Sequence, residues 1–242
     1  MFSFVLPVLN EESGLVTALV ELRRRFPDSE LIVVDGGSTD RSATIALTHS
    51  DFVLSGERGR AKQMNLGASK ASREWLCFLH ADTIPQFDGA QLASAVSLQT
   101  KPWGFCRVQL SGVSRLLPMV AWFMNKRSKL TSVATGDQML LIEREFFQRN
   151  NGFATVPLME DIEICKRLRT LAKPAVLPLM VVSSGRRWDQ RGALRTILEM
   201  WSLRLAYWLG VSPGRLWEVY YGSGFSGSSK NTVSDAEKAD KS

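Results

Sequence analysis

Leu31-Ile32-Val33-Val34-Asp35-Gly36-Gly37-Ser38-Thr39-Asp40 is the stretch on which the fold turns. Its first four residues are large, apolar and mostly β-branched, as in a strand covered on both faces within a parallel sheet. The run stops where Gly36 and Gly37 permit a tight turn and where Ser38 or Asp40 can cap a following helix. On the N-terminal side, Phe2 to Pro7 is a short apolar run, followed by a helix-like segment from about Glu11 to Arg25 with Leu15, Leu19 and Leu22 at helical spacing. On the C-terminal side, Asp51 to Leu54 reads as a strand, Lys62 to Ser72 as a helix, and Trp75 to Leu79 as a strand ending at His80-Ala81-Asp82. This alternation predicts an α/β fold, a mostly parallel central sheet flanked by helices. Open sheets of that kind bind ligands at the carboxyl ends of their strands. Asn10, Glu11, Asp35, Asp40 and Asp82 gather there.

The second half is less regular. Gly104 to Leu110 and Gln138 to Ile142 read as strands, with an amphipathic stretch from Ser114 to Lys129 between them. Glu160 to Leu171 reads as a helix, Ala175 to Val182 as a buried strand, and Ala193 to Leu209 as a long helix carrying Trp201, Tyr207 and Trp208. From Gly222 onward there is almost nothing to bury, and residues 223–242 are expected to be a disordered tail. The expected organisation is one domain over residues 1–222. Its first half is about 1–100, its second about 101–190, and a C-terminal amphipathic helix covers about 191–210.

The composition suits one soluble domain, with 242 residues, 45% hydrophobic and 22% charged. A net charge of +6 favours anionic partners without choosing among them. Basic residues are not interleaved with aromatics along one element, which argues against nucleic acid. Cys77, Cys106 and Cys165 lie far apart without metal-type spacing and read as reduced core thiols. The apolar start lacks a basic leader pattern, and no long apolar stretch spans a membrane, so a cytoplasmic protein is expected. The helix from Arg191 to Leu209, with Arg191, Arg195 and Arg204 beside its aromatics, fits either packing on the protein or a subunit, or lying on an anionic membrane surface. The second reading would place the protein on the inner face of the membrane. A homo-oligomer is compatible with the first.

Three acidic clusters carry candidate chemistry. Asp35 can accept from a ribose or base, or serve only its own turn. His80 and Asp82, two residues apart on an extended segment, can share a ligand, and a strand-end carboxylate can hold Mg²⁺ or Mn²⁺ on a diphosphate. The plain alternative is a histidine under a loop and a turn aspartate. Glu160-Asp161 open a helix, where acids suit the helix dipole or where one can face a cleft as general base. Arg58, Arg60 and Lys62, between Gly56 and a helix, form a phosphate clamp or a solvated patch, and Arg186-Arg187-Trp188 after a strand permit the same two readings.

In order, the motifs are Val5-Leu6-Pro7-Val8-Leu9-Asn10-Glu11-Glu12, Val34-Asp35-Gly36-Gly37-Ser38-Thr39-Asp40, Gly67-Ala68-Ser69, His80-Ala81-Asp82, Glu160-Asp161 and Arg186-Arg187-Trp188. Together they resemble the family 2 inverting glycosyltransferases of the GT-A fold, in particular a bacterial subgroup of small members with His-Ala-Asp in place of DxD. The resemblance covers about three quarters of the chain. It implies that Pro7 and Glu11 border the nucleoside, that Asp35 reads the base or ribose, and that Ala81 and Asp82 meet the donor, with Asp82 holding the metal. Asp161 would be the catalytic base with Glu160 beside it. Arg187 and Trp188 would close over the diphosphate, with Arg60 helping to absorb its charge, and Asp137 and Gln138 would lie in the acceptor region. Two positions depart from the family pattern. Asp35-Gly36 stands where two acids are frequent, and His80 replaces the first acid of DxD, an imidazole that suits softer first-row metals than Mg²⁺.

The expected reaction is transfer of a sugar, with inversion, from a nucleoside-diphosphate sugar to a hydroxyl acceptor (glycan, lipid or small molecule), assisted by a divalent metal. A nucleotidyltransferase would place a glycine-rich basic loop where Asn10-Glu11-Glu12 stands. A degenerate nucleotide-binding or scaffold protein is the other alternative, kept open by the missing DxD acid.

Overall fold

Strand β1 (Phe2–Val8) alternates its faces, and that alternation organises the first layer pair. Phe2, Phe4, Leu6 and Val8 pack with Leu15, Leu19 and Leu22 of α1 (Glu12–Arg25). Val5 faces the other way, towards Ala61, Met64 and Ala68 of α3 (Arg60–Lys70). Strand β2 (Glu30–Asp35) divides likewise, Leu31 and Val33 to one face and Ile32 and Val34 to the other. The three α1 leucines are fully buried, a transfer gain of roughly 1.5–3 kcal/mol each. Gly67 lets α3 approach the sheet, since a Cβ there would stand 2.4 Å from Val5 Cγ1.

The computed structural model describes residues 1–222. The tail 223–242, expected to be disordered, lies outside the described residues. Further elements are α2 (Ser42–His49), β3 (Phe52–Ser55), β4 (Trp75–Phe78), β5 (Thr83–Pro85), α4 (Gly89–Ser97), β6 (Trp103–Ser111) and α5 (Leu117–Thr131). After a 3₁₀ turn at Gly136–Gln138 come β7 (Leu140–Glu143), α6 (Arg144–Arg149), α7 (Glu160–Leu171), β8 (Ala175–Ser184), α8 (Arg186–Arg191), α9 (Ala193–Trp208) and α10 (Pro213–Gly222). One eight-stranded sheet, ordered β3-β2-β1-β4-β7-β6-β8-β5, runs through both halves of the chain. Pairings among β3, β2, β1 and β4 are all parallel. Beyond β4 the sheet is mixed: β7 is antiparallel to β4 and β6, β8 is parallel to β6, and β5 is antiparallel to β8.

The chain leaves β1 towards β2 and β3, then returns to the other side of β1 with β4. That reversal is a topological switch point, which opens a crevice at the strands' carboxyl ends. Pairing of β1 with β4 ends at Val5↔Phe78, and Leu79 N donates to Val5 O. Pro7 has the same parity as Val5, so its missing N–H falls where no β4 partner remains.

Predicted elements and structure differ in three places. The segment Ala175–Val182 is not uniformly buried: β8 alternates buried and exposed residues, because only one of its faces is covered. Gln138 belongs to the 3₁₀ turn rather than to β7. Helices α4, α6, α8 and α10 and strand β5 had no sequence reading. Helix α4 is short and held by a capping box between Asp88 and Gln91.

Candidate active site

The loops after β1 and β2 are laced together. Asn10 N donates to Ser38 Oγ (2.9 Å), Glu11 N to Ser42 Oγ (2.8 Å), Glu12 N to Asp40 Oδ2 (3.1 Å), and Thr39 N to Asn10 Oδ1 (2.8 Å). Asn10 adopts a left-handed conformation, φ 55°, tolerable for asparagine and rare for other side chains. Asp40 Oδ1 accepts from Ser42 N at the start of α2, while Ser38 serves the turn. Asp35 is buried, and its carboxylate accepts from Gly37 N, Ser38 N and Ser38 Oγ. The structure thus places Asp35 in its own turn rather than on the cleft wall. The amide of Gln63 bridges the two strands beneath the loops, with Nε2 donating to Val8 O (2.9 Å) and Val34 O (2.7 Å).

A cleft of about 1580 Å³ opens in front of these loops. Pro7, Glu11, Arg60, Gln63, His80, Ala81, Asp82, Asp137, Glu160, Asp161 and Trp188 all line it, so residues far apart in sequence share one cavity. Glu11 Oε2 is 3.2 Å from Arg186 Nη2, and Arg186 Nη1 also donates to Ser13 Oγ (3.0 Å), which ties α8 across the mouth to α1. The side chain of Arg187 lies outside the described residues.

At the back of the cleft β4 ends at Phe78, so the His80-Ala81-Asp82 segment is not extended strand. His80 and Asp82 therefore do not project by strand alternation. His80 Nδ1 stands 3.6 Å from Asp137 Oδ1, and its ring packs on Gly136, where a Cβ would come within 2.2 Å of Nε2. Asp82 faces the cleft, its carboxylate without a hydrogen-bond partner among the described residues. No group of three or more His, Cys, Asp or Glu converges as a metal cage among the described residues. The donor set nevertheless fits a hard divalent cation, which is commonly bound by one or two carboxylates and completed by substrate phosphates and water.

Helix α7 starts after Met159, which is left-handed at φ 68°, a costly conformation for a non-glycine residue. That turn sets Glu160 and Asp161 at the helix N-terminus. Asp161 Oδ2 accepts from Gly136 N (3.0 Å) and Oδ1 from Ile162 N (2.7 Å). Each oxygen keeps a free lone pair for a substrate proton. Glu160 is buried; desolvation first, and the Asp161 charge second, hold its pKa above the ordinary carboxylate value. Asp137 is shifted the other way. Burial is its largest single influence and acts upward, but the hydrogen bond and charge of His80, the charge of Arg60 and the Ser183 hydroxyl outweigh it. Arg60 thus acts electrostatically on both Asp137 and Glu160. Gln138 is fully buried: its Oε1 accepts from Ser128 Oγ (2.6 Å) and its Nε2 donates towards Cys106 O and Asn125 Oδ1. It braces α5 against the sheet and does not line the cleft.

The outer part of the cleft runs between α5 and the pair α9–α10. Met119, Trp122 and Phe123 stand on one side, Ile197, Met200, Trp201, Trp217 and Tyr220 on the other. Helix α9 is anchored by Leu203, which packs with Met159, Ile162, Leu216 and Tyr220. Ile197, Ala206 and Tyr207 also pack inward, whereas Trp201 at 65% and Trp208 at 74% are exposed, as is Trp122 of α5 at 54%. Sequence reasoning missed Gln63, Arg127 and the α5 aromatics, and it read Arg204 only as part of a helix that could lie on an anionic membrane. Gln63 and Arg127 gave no motif, and the α5 aromatics fell in a stretch read only as amphipathic.

Fold and cleft together define a nucleotide-diphospho-sugar transferase architecture, a parallel sheet with acids at its switch point joined to a mixed half. Residues 3–97 match the family described as Glycosyl transferase family 2. Among curated proteins, a PGL/p-HBAD biosynthesis glycosyltransferase of Mycobacterium bovis is 36% identical over 94 residues, covering 34% of this chain and 35% of that protein. The poly-beta-1,6-N-acetyl-D-glucosamine synthase of Staphylococcus epidermidis is 34% identical over 89 residues, 34% of this chain and 22% of that protein. The chain thus matches about a third or less of the length of these relatives. Among solved structures, S. aureus TarS 1–349 with UDP is 18% identical at TM-score 0.59, covering 76% of this chain and 60% of that one. A mannosyltransferase of Pyrobaculum calidifontis with GDP-Man and Mn²⁺ is 23% identical at TM-score 0.59, covering 85% and 60%. These likenesses establish the GT-A fold.

Proposed function

We propose that the chain is a glycosyltransferase that moves a sugar, with inversion, from a nucleoside-diphosphate sugar to a hydroxyl acceptor. The observation that carries this reading is the single cleft in which Asp82, beside the β1 and β2 loops, meets Asp137, Glu160 and Asp161 from the second half of the chain. Support comes also from the family 2 match and from neighbours of the same fold whose structures hold UDP or GDP-Man.

In the proposed mechanism Pro7, Glu11 and the turn built on Asp35 border the nucleoside, and Ala81, Asp82, Arg187 and Trp188 meet the diphosphate. A Mg²⁺ or Mn²⁺ ion bound at Asp82 would supply charge neutralisation for the departing diphosphate; His80 is a further ligand only if its ring leaves Asp137. Asp161 takes the proton of the acceptor hydroxyl through an oxygen whose position Gly136 N fixes. The acceptor oxygen then bonds to the anomeric carbon as the bond to the diphosphate oxygen breaks. One displacement inverts that carbon. Glu160 stands beside the base, its pKa raised by burial first and by the Asp161 charge second. Asp137 orients His80 at the acceptor side.

The acceptor reaches Asp161 between α5 and α9. The exposed aromatics there, with Lys126 and Arg204 nearby, favour a position on an anionic membrane surface over free diffusion. No helix among the described residues is long and apolar enough to cross a membrane.

The test is a thermal-shift panel of UDP-, GDP-, dTDP- and CDP-sugars with and without Mn²⁺ or Mg²⁺. Metal-dependent stabilisation by one donor class supports the reading. Absence of any shift on folded protein favours a degenerate nucleotide-fold protein.

A further inference from the structure

Two arginines in the outer cleft have a buried Nε and no ion pair with a described residue. Arg127, on α5, lines the cleft and is largely buried. Its Nη2 donates to Ser128 Oγ (3.0 Å) and, at the limit of a hydrogen bond, to Val133 O (3.5 Å). Its Nε is buried with no partner, and Nη1 has no partner among the described residues. Arg204, on α9, lines the same cleft, and its Nε is likewise buried and unpartnered. Neither forms an ion pair with a described residue. Burial is the first influence on Arg127 and acts against its charge, with Asp161 the leading group acting in its favour. Two other cations at the cleft are served differently: Arg186 has Glu11, and Lys126 sits over the Trp122 ring at 5.5 Å.

A guanidinium held out of water without a carboxylate is costly, and the cost falls when an oxyanion supplies paired acceptors. The walls around these two side chains are apolar on both flanks, with Trp122 and Phe123 opposite Met200 and Trp201. We infer that the acceptor is an anionic amphiphile, whose phosphate or carboxylate is bound by Arg127 and Arg204 while its apolar body lies between α5 and α9. This deepens the transferase reading and rests on it for which end of the cleft takes the donor. Serine and carbonyl contacts at Nη2 fix the plane of Arg127, so the group reads ligand geometry as well as charge.

The test is calorimetric titration of the full chain with octyl phosphate, octanoate and uncharged octyl glucoside, each with and without a saturating nucleoside diphosphate. Octyl phosphate or octanoate should bind roughly tenfold or more tightly than octyl glucoside, also when the nucleotide is present. Arg127→Gln and Arg204→Gln should each remove most of that advantage while leaving nucleoside diphosphate affinity within about twofold. Arg127→Lys, with the charge kept and the fork lost, should fall between. Should Arg127→Gln fail to fold, Arg204→Gln and Arg127→Lys carry the same comparison. Equal affinity for the three amphiphiles, or unchanged affinity in the variants, overturns the inference. Competition between octyl phosphate and nucleotide, with both weakened in the variants, also overturns it, because the arginines then bind the donor's diphosphate. Binding of octyl phosphate with no nucleotide binding at all leaves the anion site standing and removes the donor reading instead.

Discussion

The two flanks of the cleft are finished to different degrees. On the β1–β2 flank the polar groups find one another: Asp35 is consumed by its own turn, Asn10 and Asp40 lace the loops, and Gln63 pins two strands. On the α5–α9 flank the reverse holds. Arg127 and Arg204 have no ion-pair partner among the described residues, and large aromatics stay exposed. The first flank is preorganised for a rigid ligand that needs little rearrangement. The second is completed only by what binds there. Between them Gly136 N donates to Asp161, and Asp137 meets His80 and Ser183.

Breaking that central link should have the largest effect. Asp161→Asn is expected to fold and to bind donor within about twofold, yet to lose transfer by roughly 10²–10⁴-fold. Steady-state kinetics with the donor found by thermal shift decides it, and normal turnover would remove Asp161 from the role of base. Next comes Gly136→Ala, whose Cβ would overlap the His80 ring and push it off Asp137. A loss on the order of 1–3 kcal/mol in unfolding free energy is expected. A variant as stable as the parent would show that His80 is free to move.

A pH series sharpens the contrast between the two perturbed acids. Glu160 has a raised folded pKa, so its contribution is full below the ordinary carboxylate range and is lost as pH rises through the folded value. Glu160→Gln should therefore gain stability relative to the parent as pH rises. Asp137 has a lowered folded pKa, so its contribution is present above the ordinary range and is lost as pH falls through the folded value. Asp137→Asn should cost stability at neutral pH and little in acid. Melting temperatures of both variants across pH should move in opposite directions; parallel curves would contradict the assigned environments. The smallest effect belongs to the outer flank. Trp201→Ala should weaken co-sedimentation with anionic liposomes by a few-fold without changing the melting temperature, because Trp201 is exposed and packs on little. No binding by the parent at low salt would end the membrane reading.

Much of the parallel half was legible because its code is local. The apolar runs of β1 and β2 and the leucine spacing in α1 each follow from neighbouring residues, as do the acids opening α7 in the second half, which runs over the predicted span, Glu160–Leu171. The strand-end acids were found for the same reason. His80 was read on the assumption of an extended strand through Asp82; β4 stops sooner, and Gly136 and Asp137 take the imidazole. Asp35 and Gln138 carry the residue types of a binding site, yet their partners are backbone and side-chain groups of the protein itself.

The sequence by itself determined the layer order of the first half, the switch point at which a cleft must open and the set of acids available there. Periodicity and turn chemistry act over a few residues and need no knowledge of distant chain. Which carboxylate stays open, which is spent on a turn, and which arginine is buried without a partner were decided only by tertiary structure. Hydrogen-bond satisfaction and desolvation depend on groups brought together from opposite ends of the chain, such as Gly136 on Asp161 and Arg186 on Glu11.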